Sequence, residues 1–319
     1  MNGLSVYCGP EIFDGETDTL YRNNGDGTFT DISESAGIRF AGLGLAAIAG
    51  DPDRDGDIDL FVANDMTPNF FYRNRGDGTF EEMGFAAGIA LGDDAVMGNS
   101  MGFDLADYDN DGWLDLLVTN FEEQTTVLHR NDGDGFFTDV SYLVGNRRPL
   151  AANVELGGVP SPIWTTTAGE TSLSSTATFT TTFSRSRDGV PILSPNRCFQ
   201  NLGNGRFRDV SAQSGAPIVR PEVSRGAAFG DYDNDGDLDV IVNNLHSRAT
   251  LLQNESPPEN GWVRVILEPP HWAPGTWLEL STAGRIAAVG SPGSRWGELR
   301  VFERPPGPLW SGGRRRAAS

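Results

Sequence analysis

Short apolar runs alternate along this chain with polar turns rich in glycine and aspartate. Three of the runs are Leu60–Asn64 (Leu-Phe-Val-Ala-Asn), Leu116–Asn120 (Leu-Leu-Val-Thr-Asn) and Val240–Asn244 (Val-Ile-Val-Asn-Asn). They are short, rich in β-branched residues and end in Asn, which predicts strands. A second pattern is offset from the first. A Gly-Asp-Gly or Gly-Asn-Gly turn sits inside Arg22–Phe29, Arg73–Phe80, Arg130–Phe137 and Gln200–Phe207. Its glycines supply the positive φ of a tight hairpin. An apolar strand precedes the turn, as at Phe70–Tyr72 or Val127–Leu128, and another follows, as at Phe29–Ile32 or Phe207–Val210. A glycine bend then closes the unit at Ala36–Ile38, Ala87–Ile89 and Ser214–Gly215.

One unit therefore reads strand, acidic loop, strand, connection, strand, hairpin, strand. The spacing is 56 residues from Asp51 to Asp107 and 51 from Asn23 to Asn74. Four short strands at that period describe a propeller blade, and a β-solenoid would show a shorter period without hairpins. The predicted fold is an all-β, incomplete β-propeller with blades of four antiparallel strands. A partial β-domain follows it.

The acidic loops carry the chemistry. They are Asp51–Asp59, Asp107–Asp115 and Asp231–Asp239. Carboxylates fall at positions 1, 3, 5 and 9: Asp51, Asp53, Asp55 and Asp59; Asp107, Asp109, Asp111 and Asp115; Asp231, Asp233, Asp235 and Asp239. Packing four carboxylates into so short a loop is unfavourable without a counter-ion, and calcium is the hard, oxygen-preferring cation that fits. Glycine at position 6 permits the sharp turn. Position 7, which is Asp57, Trp113 or Asp237, then offers its backbone carbonyl, so its side chain is free to vary. These are not EF-hands, because position 12 is Val62, Val118 or Val242 where an EF-hand places a bidentate Glu. About three structural calcium sites are expected.

Composition agrees. The chain has 319 residues, 44 acidic against 24 basic, and a net charge of -20. Fourteen of the acidic residues (five, four and five) lie in the three loops, so the acidity is local and metal-directed. It argues against nucleic-acid binding. Forty Gly and 19 Pro suit a turn-rich β-protein. No apolar run approaches a membrane span. Met1–Cys8 shows neither the basic nor the apolar region of a signal peptide. Two cysteines, Cys8 and Cys198, do not fix the redox compartment.

These residues resemble the FG-GAP/VCBS repeat, the blade of integrin α-type propellers, and Phe229-Gly230 before Asp231 matches its name-giving dipeptide. Val6–Pro10, Leu20–Asn23, Ala63–Asn69 and Asn254–Pro258 followed by Trp262–Val265 make the chain similar to the cartilage acidic protein family. That resemblance covers roughly residues 6–142 and 196–267. It implies calcium binding, an extracytoplasmic setting (extracellular, periplasmic or cell-surface), no established enzyme activity, and a C-terminal ASPIC/UnbV-type domain. The domains expected are propeller blades over 1–256 and a partial ASPIC/UnbV-like region over 257–319.

Two regions depart from the pattern. A fourth loop is due near residue 165, yet Pro160–Thr182 is rich in Ser and Thr. Every Thr codon begins AC, and Trp164-Thr165 read one base earlier forces GAC, an Asp codon. The shifted frame permits a further acidic loop there. We therefore expect 157–194 to be an aberrant, frameshifted blade, with 158–194 disordered or poorly packed. The chain also opens in mid-blade, since Leu20–Asn23 has no loop upstream, which suggests a truncated start. Near the other end, Leu278–Arg285 fits the ASPIC/UnbV pattern, whereas Ala287–Ser319 does not.

Other motifs have plainer explanations. Arg75-Gly76-Asp77 is an Arg-Gly-Asp tripeptide, but the repeated hairpin accounts for it. His129 stands at a strand position, and neither it nor His246 nor His271 has a partner at metal or triad spacing. Cys198 reads as a buried small hydrophobe. No nucleophile elbow, zinc-protease helix or phosphate loop is present. The expected function is a non-catalytic adhesion or interaction module for an unknown protein or glycan. The alternative is a propeller-based carbohydrate-active enzyme, a lyase or hydrolase.

Overall fold

The computed structural model describes residues 10–92, 96–109, 111–120, 124, 126–144, 176–180, 184–185, 191–192, 195–202, 205–230, 232–233, 239–253, 261–266, 278–282, 285–290 and 298–303. Its two complete sheets are four-stranded antiparallel meanders in sequence order. The first comprises Gly44–Gly50, Asp59–Asn64, Phe70–Asn74 and Phe80–Glu82. The second comprises Ser100–Ala106, Asp115–Asn120, Val127–Asn131 and Phe137–Asp139. The predicted strand–loop–strand–hairpin unit is thus one sheet. The flanking repeats give smaller sheets: Tyr21–Asn23 with Phe29–Asp31, and Ser224–Gly230, Asp239–Asn244 and Thr250–Leu252.

Blades bury both faces, so adjacent strand residues serve different cores. Phe61 and Ala63 join Phe71, Leu116, Val118 and Phe137 between the two complete sheets. Their neighbours Val62, Phe70 and Tyr72 face the other way, onto Ala36 and Ile38 of the preceding repeat. Phe61 is fully buried, stacks on Phe71 at 4.5 Å and meets Phe103 and Phe137 edge-on at 6.3 and 6.0 Å. Such offset and edge-to-face aromatic pairs add to the effect of area burial. Leu128, Val140 and Tyr108 form the core toward the next repeat, where Tyr108 stacks on Phe207 at 6.2 Å. Cys198 is buried with Ile218, Val240 and Val242, as expected of a small hydrophobe, and burial raises its thiol pKa.

The hairpin glycines take the predicted left-handed conformation, including Gly76 (φ 72°), Gly78 (φ 86°) and Gly133 (φ 98°). The glycine bends are the ends of one-turn helices, Ser33–Ala36 and Gly84–Ala87, capped by Gly37 and Gly88. Four residues are too few to show a helical period, so the sequence revealed only the cap. A repeated tie fastens the last strand in three of the repeats. Asp31, Asp139 and Asp209 accept from the amides of Ser33, Ser141 and Ser211 at 2.9 Å. Those serine hydroxyls accept in turn from the amides of Leu20, Leu128 and Cys198, each at 2.9 Å.

Within the segment expected to be disordered or poorly packed, Thr176–Thr180 runs antiparallel to Arg197–Asn201, with Thr176 opposite Asn201 and Thr180 opposite Arg197. A ladder needs only backbone groups, and β-branched threonines favour the extended form. Ser184–Arg185 pairs with Pro191–Ile192. The rest of 157–194, including the place due for a fourth loop, lies outside the described residues. Beyond the repeats, Gly261–Ile266 pairs with Glu298–Glu303 and Leu278–Thr282 with Arg285–Gly290.

Candidate metal centres

The first acidic loop joins two adjacent antiparallel strands, and Gly50 pairs with Asp59 at its base. That closure forces nine residues into a tight arch. Gly56 (φ 92°) and Arg54 (φ 59°) adopt left-handed backbone to make it. Amide groups then turn inward: Gly56 N donates to Asp51 Oδ2 at 3.2 Å and Asp57 N to Asp55 Oδ1 at 2.9 Å. Asp51, Asp53 and Asp55 each bring a carboxylate oxygen within 4.8 Å of the others.

Asp59 does not join that trio but lies behind it, fully buried. Its Oδ1 accepts from Asn74 N at 2.7 Å. Its Oδ2 is buried with no hydrogen-bond donor among the described residues. Burial pushes this carboxyl up to about 8, against the Asn74 amide and helped by repulsion from Asp53, Asp55 and Asp51. Asp53 is raised by burial and then by Asp55.

The second loop repeats the arch with Gly112 at φ 95°. Asp107 accepts from Asp111 N at 3.1 Å and Gly112 N at 2.9 Å, and Asp111 accepts from Trp113 N at 2.8 Å. Here the clustered trio is Asp107, Asp109 and Asp115, and Asp111 stands outside it. Both oxygens of buried Asp115 are held, Oδ2 by Tyr108 N at 2.9 Å and Oδ1 by Asn131 N at 2.8 Å. Burial still pushes Asp115 up to about 9.

Of the third loop, the described residues include Asp233 and Asp239. Asp239 Oδ2 accepts from Tyr232 N at 2.8 Å, matching Asp115 with Tyr108. Asp233 accepts from Gln253 Nε2 at 2.6 Å. Asp231, Asp235 and Asp237 lie outside the described residues.

Inward amides stabilise carboxylates, yet in both loops burial and like charge win and drive a carboxyl toward its neutral form. A hard divalent cation reverses that balance, and an all-oxygen donor set selects Ca2+ or Mg2+ over softer metals. The acidic trios and the spare buried oxygen of Asp59 fit such an ion.

Sequence reasoning missed the hairpin asparagines. Asn74 Nδ2 donates to Ile58 O at 3.0 Å, and Asn131 Nδ2 to Leu114 O at 3.0 Å. Each holds the end of its own acidic loop. Their recurrence before every hairpin was the available signal. Trp113 packs beneath Arg54, whose guanidinium lies 4.5 Å from the ring centroid. His129 sits buried in its strand, and burial lowers its pKa to about 4. Arg75 pairs with Glu81 at 2.9 Å across its hairpin, and Asp77 caps Thr79 N at 2.9 Å, so the Arg-Gly-Asp turn has structural work. Between the complete sheets, at the strand ends opposite the loops, a cavity of about 170 Å³ is lined by residues including Asn69, Ser100, His129 and Tyr142.

The family model described as FG-GAP-like repeat matches residues 6–62, 51–118 and 180–242. Cartilage acidic protein 1 of Xenopus tropicalis is 27% identical over 216 residues, which is 65% of this chain and 30% of that protein. Its Homo sapiens counterpart is 25% identical over 252 residues, 74% of this chain and 34% of that protein. The chain thus spans about a third of the length of these curated relatives. Among solved structures, an Agrocybe aegerita lectin that recognises non-reducing terminal N-acetylglucosamine aligns with 90% of this chain and 79% of its own. It does so at 15% identity and a TM-score of 0.38. No helix among the described residues is long and apolar enough to cross a membrane. Matched across most of its regular strands by three copies of one model, the chain belongs to the FG-GAP-like repeat family.

Proposed function

We propose that this chain is a calcium-stabilised, non-catalytic extracellular module that presents propeller blades to a protein or glycan partner. The observation that carries the reading is the pair of acidic trios, Asp51, Asp53, Asp55 and Asp107, Asp109, Asp115, with the spare oxygen of buried Asp59 behind the first. Asp51, Asp53, Asp55 and Asp59 would hold one ion, with the carbonyl of Asp57. Asp107, Asp109, Asp111 and Asp115 would hold the next, with the carbonyl of Trp113. Asp231, Asp233, Asp235 and Asp239, with the Asp237 carbonyl, complete the set. The ion supplies charge neutralisation and ties the arch that joins two strands of one blade.

Exposed-loop calcium sites of extracellular modules bind at about 10⁻⁴–10⁻³ M. Sites of that affinity would fill outside the cell and not in the cytosol. The relationship to cartilage acidic protein 1 supports an extracellular setting. For a partner, the cavity holding His129 and Tyr142 is the first place to look, since Tyr142 is exposed and ready to stack.

Isothermal titration with calcium, followed by a glycan array in calcium and in chelator, tests the reading. Calcium uptake and calcium-dependent glycan capture without product release would support it. Turnover of a captured glycan would replace it with the enzyme alternative.

A further inference from the structure

We propose that calcium binding at the first loop and at the second is positively coupled, through a bridge made by Asn131 and Arg54. This rests on the calcium reading above and goes beyond it.

Asn131 ends the third strand of the second sheet and is fully buried. Its amide N donates to Asp115 Oδ1, a ligand of the second site, at 2.8 Å. Its Nδ2 donates to Leu114 O of the second loop at 3.0 Å and to Pro52 O of the first loop at 2.9 Å. Pro52 stands between two ligands of the first site, Asp51 and Asp53. One side chain therefore grips the backbone of both loops while its own amide grips a ligand.

A second contact crosses the same gap. The Arg54 guanidinium, from the first loop, lies over Trp113 of the second at 4.5 Å. A Cβ placed on Gly112 would sit 2.8 Å from Arg54 Nη2, so the Arg54 head group lies against the second arch.

The bridge recurs one repeat later. Asn201 Nδ2 donates to Tyr108 O at 2.7 Å. Tyr108 is the second residue of its loop, as Pro52 is of the first. Asn131 and Asn201 thus reach back to the same carbonyl of the loop before them.

The physical consequence follows from how an arch binds an ion. Filling the second site fixes Leu114 and Asp115, which fixes Asn131, which holds Pro52 where the first site needs it. The ordering then need not be repeated when the first site fills. Linkage makes the effect reciprocal.

The test uses the full chain with the third loop disabled by Asp233→Asn and Asp235→Asn, leaving two sites. Calcium affinities are measured by isothermal titration, and folding is checked by near-ultraviolet circular dichroism. Disabling the second site with Asp109→Asn and Asp111→Asn should weaken the first by about fivefold or more, within the usual range of coupling. Asn131→Ala and Arg54→Gln, each with both sites intact, should shrink that coupling. Arg54 is exposed, so Arg54→Gln carries this arm if Asn131→Ala does not fold. An unchanged first-site affinity would overturn the coupling and leave the calcium reading standing. Full coupling in the folded bridge variants would overturn the bridge. No calcium uptake at all would overturn both.

Discussion

The first and second acidic loops share one spacing but gather different trios. In the first, Asp51, Asp53 and Asp55 converge while Asp59 stands behind them with one oxygen held and one spare. In the second, Asp115 joins Asp107 and Asp109, and both its oxygens are held by backbone amides. The difference lies in positions 5 and 9: Asp55 joins its trio where Asp111 does not, and Asp115 joins where Asp59 does not. Position 9 also sits in the strand ladder, and the amide donors that reach it differ between the two loops. A ligand pattern in sequence therefore fixes which carboxylates are available, whereas the surrounding backbone decides which of them cluster before an ion arrives.

The largest expected effect removes the floor under both loops. Phe61→Ala deletes the ring that joins Phe71, Phe103 and Phe137 between the sheets, and should lower stability by about 3–5 kcal/mol in urea denaturation. Both loops should lose calcium together in that variant. If one keeps its affinity, the sheets are more independent than this packing implies.

Position 9 sharpens the comparison directly. Asp115→Asn places an amide NH₂ against Tyr108 N or Asn131 N, both donors, and should lower the stability of the calcium-free protein by about 1–3 kcal/mol. Asp59→Asn keeps the bond to Asn74 through its oxygen and should change the calcium-free protein by less than about 1 kcal/mol. Equal losses in thermal unfolding would erase the distinction between the loops.

Acidity gives the next effect. Asp59 and Asp115 have folded pKa values of about 8 and about 9 without metal, above the unfolded carboxylate value. The folded state binds protons that the unfolded state has lost. The calcium-free protein should be most stable below about pH 4 as far as these groups go, and lose that stability as pH rises through 8 to 9. Saturating calcium should remove the decline, since metal binding displaces those protons. A calcium-free melting temperature that climbs steadily from pH 5 to 9 would contradict the assignment.

The smallest effect concerns the hairpins. Arg75 and Glu81 form a half-exposed pair, so Arg75→Ala should cost under about 1 kcal/mol. It should leave any partner binding intact, because the Arg-Gly-Asp turn is the common hairpin of the repeat. Loss of cell attachment in that variant would give the tripeptide a role of its own.

Strands, hairpins and arches were legible because their chemistry is local. Gly76, Gly78, Gly56 and Gly112 announce left-handed backbone wherever they recur. The asparagine bridges were not, since Asn131 meets Pro52 across 79 residues and Asn201 meets Tyr108 across 93. Nothing in a local pattern pairs those positions until the blades are stacked. The same limit hid the strand at Thr176–Thr180, whose threonines favour an extended chain but whose partner, Arg197–Asn201, is not local. The split between Asp59 and Asp115 was also invisible, because identical spacing conceals which amides come near.

The central claim is that these arches are completed by calcium. Its most direct test compares melting temperature with and without calcium in the full chain and in an Asp109→Ala, Asp111→Ala variant. At a calcium concentration tenfold above Kd, each filled site should add about 1.4 kcal/mol. The account predicts a clear rise in the natural chain and a smaller one in the variant. No rise, or the same rise in both, would contradict it.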